Sequence, residues 1–274
     1  MQDVLKRYLV GKVRSAFHDQ AKGEAPVARS NAGLFGPDSV AWRVHGDVTT
    51  MMVGGIAALL LQMLHPAVLA GVWDHSDFRK DMHGRLRRTA RFIAVTTYGG
   101  RNEAEAAIAH VRRVHEVVTG VVPGGRAYAA SDPELLTWVH ITETLSFLDA
   151  WIRYAEPGMT MADQNRYFAE VAVVAERLGV GDVPRSRAEV LDRIGTMRSQ
   201  LRADARTREV ARLILRPPRP SLDAVPLTLM QRAAVDLLPG WARRMHRLTG
   251  SGPARPLVAG GTLTLAQTLR WAFR

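Results

Sequence analysis

The sequence has no cysteine among its 274 residues, and that absence removes more chemistry than any single motif could. Without a thiol there is no iron–sulfur cluster, no Cys-type structural zinc, no cysteine nucleophile and no thiolate-ligated haem, so any metal falls to His, Met, Tyr or carboxylate. Lysine is scarce, occurring only at Lys6, Lys12, Lys22 and Lys80, although Lys+Arg total 37 against 26 Asp+Glu. The net charge of +11 is therefore carried by arginine, whose planar fork suits phosphates and carboxylates. GC-rich coding also produces arginine in place of lysine, so charge alone selects no partner.

Motifs are missing too. No GxGxxG or GxxxxGK[ST] follows a strand, no GxSxG or HExxH is present, and the paired Glu-x-x-His of di-iron bundles is absent. Nucleotide folds, serine hydrolases and zincins drop out. The opening MQDVLKRYLVGKVRSAFHDQ lacks the apolar core of a signal peptide, and the expectation is a cytoplasmic protein. The run from Val53 to Val72 approaches the ~20 apolar residues of a membrane span but contains Gln62, His65 and Pro66, so it reads as a buried helix broken at Pro66.

Helical periodicity fills the chain, and no window of strict alternation argues for a strand. The expected fold is an all-α, single-domain, globin-like bundle. It divides into an amphipathic helix at 1–22, the main domain at 23–250 and a C-terminal tail helix at 251–274. Within the main domain, GRLRRTARFIAVTTYGG is bounded by Gly84 and Gly99-Gly100, and NEAEAAIAHVRRVHEVVTG runs from an Asn102 cap to Gly120. A long apolar helix starts at Asp132-Pro133 and ends before Pro157-Gly158, the natural centre of a bundle. The two segments beyond it, 159–179 and 187–215, read as amphipathic outer helices. A proline-rich hinge, RPPRPSLDAVP, then leads to three short C-terminal helices.

Two stripes stand out chemically. Ala104, Ile108, Val111, His115 and Val118 follow helical spacing, which turns His115 inward with Arg112 and Thr119 on its face. A buried imidazole there is either a core histidine bonded to a carbonyl or a metal or haem ligand. In the preceding helix Arg85, Arg88, Thr89 and Phe92 share a face, which is either solvated or the wall of a cavity apolar at one end and charged at the other. Two further clusters, Arg43/His45/Asp47 and His65/Asp74/His75/Asp77, look ligand-like, but capping by Asp74 and Asp77 around Ser76 and a break at His65-Pro66 account for the second.

The order and spacing of LLLQMLHPAVLAGVWDHSDF, GRLRRTARFIAVTTYGG, HVRRVHEVVTG and DPELLTWVHIT resemble the MpaB/rubber-oxygenase catalytic-domain family, which includes the latex clearing proteins. The resemblance is specific from Val40 to Tyr154 and looser to about Trp241. It implies an all-helical bundle around haem b, with His115 as proximal iron ligand and Arg85 and Thr89 above the haem. Arg112, Thr119, Arg43 and Phe92 complete the expected cofactor-binding set, with Arg112 placed to neutralise a propionate. Where latex clearing proteins carry a lysine able to cap the iron, this chain has Arg88, whose guanidinium stays protonated and does not coordinate iron. Water, a small ligand or nothing is expected opposite the histidine.

The implied activity is oxygenation or cleavage of carbon–carbon double bonds with O2. With neither signal peptide nor anchor apparent, a small apolar, isoprenoid-like substrate is expected rather than a polymer. Two other readings stay open: a non-catalytic haem-binding or haem-sensing protein, and a basic helical adaptor for nucleic acid or an anionic membrane. Nucleic acid is the less favoured partner, since no helix-turn-helix or aromatic stacking platform accompanies RLRRTARF or ARRMHRL. Peripheral association with an anionic membrane is retained.

Overall fold

The computed structural model describes residues 2–17, 25–216 and 224–273. Residues 18–24, inside the expected first boundary, and most of the 216–226 hinge lie outside the described residues. The fold is an all-α single domain with one small hairpin added. α1 (Gln2–Phe17) precedes a short α2 (Val40–His45), whose N-cap Ser39 accepts from the Trp42 amide. α3 (Val48–Gln62) and α4 (Pro66–His75) meet at a 104° bend. Pro66 lacks an amide hydrogen and holds His65 extended, which ends α3 where the sequence places the break. The carbonyls freed there are used: Gln62 accepts from the Trp138 indole at 3.3 Å, and Leu64 accepts from the Arg202 amide at 2.8 Å. No single helix among the described residues is long and apolar enough to cross a membrane.

α5 (Met82–Tyr98) and α6 (Arg101–Val117) form a tight helical hairpin around Gly99-Gly100. Capping departs from expectation at both helices. Asp81, not Asp74 or Asp77, caps α5 by accepting from the Gly84 amide at 2.7 Å. α6 begins one residue before Asn102, because Glu103 reaches back to accept from the Gly100 amide at 3.0 Å. α6 also stops at Val117 rather than Gly120, and an antiparallel pair follows that the sequence reading missed: β1 (Thr119–Val121) and β2 (Ala127–Ala129), with Gly120 opposite Tyr128. The turn needs Gly124 and Gly125, both at positive φ (108° and 92°), so Pro-Gly-Gly between Val-Val and Ala-Tyr-Ala was the available signal.

α7 (Pro133–Tyr154) runs through the centre, capped by Asp132 with Pro133 at its first turn. α8 (Met161–Leu178) ends on Gly179 in the left-handed region (φ 113°). The expected second outer helix is in fact two, α9 (Arg187–Met197) and α10 (Ala205–Ile214). Asp204 and Thr207 cap each other's backbone reciprocally and start the chain afresh. α11 (Val225–Leu237) and α12 (Gly240–His246) are short, but α13 (Arg255–Phe273) has 19 residues and packs on α1, α3, α7 and α11.

Two contacts position this assembly. α3 is apolar all round and lies against α7, so closely that a Cβ at Gly54 would sit 2.8 Å from both a Phe147 ring carbon and the Ser146 carbonyl. At the start of α3, buried Asp47 accepts from the Thr50 amide at 2.8 Å and holds Arg270 Nε of α13 at 2.6 Å. Arg270 also donates to the Tyr154 carbonyl at the end of α7. Gly54→Ala forces the two helices apart and is expected to cost about 1–3 kcal/mol in urea unfolding. Asp47→Ala removes cap and ion pair together for a loss of about 3 kcal/mol, whereas Asp47→Asn keeps the cap and should lose distinctly less.

Candidate functional site

At about 1.5 Å per residue, Arg85 on α5 and His115 on α6 each lie roughly 20 Å along the helix from the turn at Gly99-Gly100. Arg85 stands near the start of α5. There Arg85 and Thr89 are the polar members of a narrow crevice otherwise walled by Leu59, Met63, Phe78 and Leu86. Burial and the neighbouring Arg88 pull the Arg85 guanidinium below its ordinary pKa. Among the described residues it has no carboxylate or carbonyl partner. An unpaired cation in an apolar wall is costly, and it marks a place where an oxygen acceptor or an anion would be stabilised.

The α5–α6 pair leans on α1, α2 and α8 and makes little backbone contact with α3 and α7. Val111 and His115 on α6 and Val139, His140 and Glu143 on α7 keep part of their surface although they belong to core stripes. Their polar groups are strikingly poor in partners, and neither ring nitrogen of His115 or His140 is hydrogen-bonded among the described residues. Burial lowers the pKa of His115, and lowers that of His140 to about 4, so both are neutral imidazoles with lone pairs free. Burial pushes the Glu143 carboxyl up to about 7. His65 and His246, by contrast, each spend a ring nitrogen, on the Gln200 amide oxygen and on the Leu60 carbonyl.

A hydrogen-bonded chain ties α2, α5 and α8 together. His45 on α2 has Nδ1 2.8 Å from Thr97 Oγ1 on α5 and Nε2 2.8 Å from the Tyr167 hydroxyl on α8, and it packs edge-on against Phe147. Desolvation lowers the His45 pKa to about 3, and the Tyr167 hydroxyl is raised well above its usual value by burial and by Glu143 nearby. Sequence reasoning missed Glu143 and His140 altogether. The available signal was a His and a Glu three residues apart inside the apolar stretch TWVHITETLSF.

The remaining expected site residues are scattered. Arg88 is exposed and lies 3.9 Å from Asp81, away from the crevice. Arg112 is exposed on α6, and exposed Thr119 sits in β1, where its carbonyl accepts from His75 Nε2 at 2.9 Å. Phe92 is half-buried and its carbonyl accepts from Thr96. Arg43 is bound to Asp163 at 2.6 Å and Glu156 at 3.4 Å. Among the described residues no group of three or more His and carboxylates could hold a metal ion, so a metal here would need a ligand frame that arrives with it.

Glu143 retains its proton to about pH 7 in the fold and to about 4.5 when free, so its contribution to stability is full below 4.5 and is lost as pH rises through 7. The buried histidines act in the opposite sense, losing stability as pH falls below 6.5, and they cancel when a Glu143 variant is compared with the parent. Glu143→Gln should therefore gain on the parent by about 3 kcal/mol between pH 4.5 and 8 in urea titrations. A difference independent of pH would mean an ionised, well-solvated carboxylate.

Comparison with curated proteins and with solved structures finds no match. Comparison with protein families matches residues 42–272 to the family described as ER-bound oxygenase mpaB/B'/Rubber oxygenase, catalytic domain. The match takes in α2 to α13, with both the crevice and the inner stripes of α6 and α7. The chain belongs to the mpaB/rubber-oxygenase catalytic-domain family, an oxygenase family.

Proposed function

We propose that the protein is a haem b-dependent oxygenase that uses O2 on a small apolar, alkene-like substrate, with His115 as the iron ligand. The observation that carries this reading is His115 itself: a half-buried imidazole, neutral because burial lowers its pKa, with both nitrogens lacking a partner among the described residues. The residues fit the group. A porphyrin asks for an available imidazole and apolar walls, and His115 and the Leu59/Met63/Leu86 wall have those chemistries. Haem, when bound, supplies the one-electron and O2 chemistry that the side chains of this chain cannot.

What the chain itself does follows from its polar groups. The Arg85 guanidinium offers donors to an oxygen atom at an otherwise apolar wall, while the exposed Thr89 hydroxyl donates to the Arg85 carbonyl at 3.2 Å. Glu143 is able to hold or release a proton at its carboxyl oxygen near neutrality. The aliphatic walls favour a hydrocarbon body.

Hemin titration of the purified protein tests this. The expected result is a Soret band at one haem per chain that shifts with carbon monoxide after reduction, is lost or altered in His115→Ala and survives in His140→Ala. The reverse pattern would move the ligand to His140, and no uptake by the parent protein would discard haem. With haem loaded, oxygen consumption above autoxidation on adding small alkenes separates an oxygenase from a carrier.

A further inference from the structure

A second cavity, of about 230 Å³, lies on the other side of α7. Trp138, Thr142 and Leu145 line it, and at 100° per residue their stripe is opposite that of His140 and Glu143. Leu61 of α3, Ile194 of α9 and Trp241 of α12 complete the wall. The lining is effectively hydrocarbon and indole, because the Thr142 hydroxyl is already spent on the Trp138 carbonyl at 2.6 Å. An apolar cavity of ~150 Å³ is enough to take a benzene ring, so the space here accommodates a somewhat larger apolar body.

The rim carries one charge. The Arg198 guanidinium stands 4.9 Å over the Trp241 ring and has no carboxylate partner among the described residues. The indole face fixes its direction without neutralising it. Gly195 is exposed on the same rim, and a Cβ there would meet nothing within 4 Å. Arg198 is exposed too, so its guanidinium stands at the open mouth of the cavity, within reach of an anion entering from solvent.

We propose that this cavity is a second ligand site, separate from the Arg85 crevice, and that it takes a small apolar carboxylate: the hydrocarbon part between Trp138, Leu61 and Ile194, the carboxylate on Arg198. The site is complete without any cofactor. Its ligand is recognised by a single bidentate charge at one end and by shape elsewhere, a pattern suited to a short-chain fatty or isoprenoid acid.

Calorimetric titration of the haem-free full chain with octanoate, octan-1-ol and octylammonium tests it. Octanoate should bind at one site, at least tenfold more tightly than octan-1-ol, and octylammonium should not bind. Arg198→Gln should lower octanoate affinity about tenfold and leave octan-1-ol unchanged. Gly195→Phe fills the cavity from a helical position where glycine is the poorer helix former, so the fold is retained by circular dichroism while binding of both ligands is lost. Equal affinity for octanoate and octan-1-ol would overturn the carboxylate assignment. Octanoate binding that survives Gly195→Phe, or no saturable heat at all, would overturn the site.

Discussion

The close approach of α3 and α7 at Gly54 is the constraint on which the remaining architecture depends. A helix that is apolar on every side must be covered on every side, and α3 is covered by α7, α11, α13, α10 and α2. The missing Cβ at residue 54 lets Phe147 lie flush against the α3 backbone. The same ring supports His45 from the other side, and His45 holds Thr97 of α5 and Tyr167 of α8. One backbone contact thus propagates, through one aromatic ring and one imidazole, to the elements that carry the α5–α6 hairpin. The hairpin is held chiefly by α1, α2 and α8 rather than by the α3–α7 pair.

Satisfied and unsatisfied polar groups divide the molecule into scaffold and site. Asp47, Arg270, Arg43 and His45 are fully engaged, and each joins elements distant in sequence. Arg85, His115, His140 and Glu143 have no such engagement and gather along the hairpin and the inner face of α7. Leaving polar groups buried without partners costs stability, and other buried groups, such as the Trp42 indole and the Tyr154 hydroxyl, also lack one, so it is the kind of group that sets these four apart. Their chemistries are complementary: a fixed cation, two neutral imidazoles and a carboxyl poised near neutrality.

The sequence made the helical fold legible because its punctuation is strong. Asp132-Pro133, Gly99-Gly100 and the break at His65-Pro66 each have a local physical cause, and each falls where the structure bends or starts a helix. The β1–β2 hairpin escaped because its strands are three residues long, too short for alternation to register against a preceding amphipathic helix. The split between α9 and α10 escaped for a related reason, as the Asp204 cap interrupts a charge pattern that continues on both sides. Of the site, Arg85, Thr89 and His115 were legible as polar residues on otherwise apolar stripes. His140 and Glu143 were not, since their importance lies in the absence of partners, which only the packing reveals. The ion pairs of Arg43 were hidden in the same way, its two carboxylate partners lying more than a hundred residues away.

The Asp47–Arg270 pair spans 223 positions of sequence, and that span has a kinetic meaning. The first turn of the central helix is electrostatically complete only when one of the last helices docks. Long-range closures of this kind are reached late, after local helices have formed, because the intervening chain must first be ordered. Until then Asp47 is a buried anion in waiting, and the helix it starts is only loosely anchored at that end. A single guanidinium from the far end of the chain is thus what completes the start of α3, and the two ends of the described fold are tied at one point.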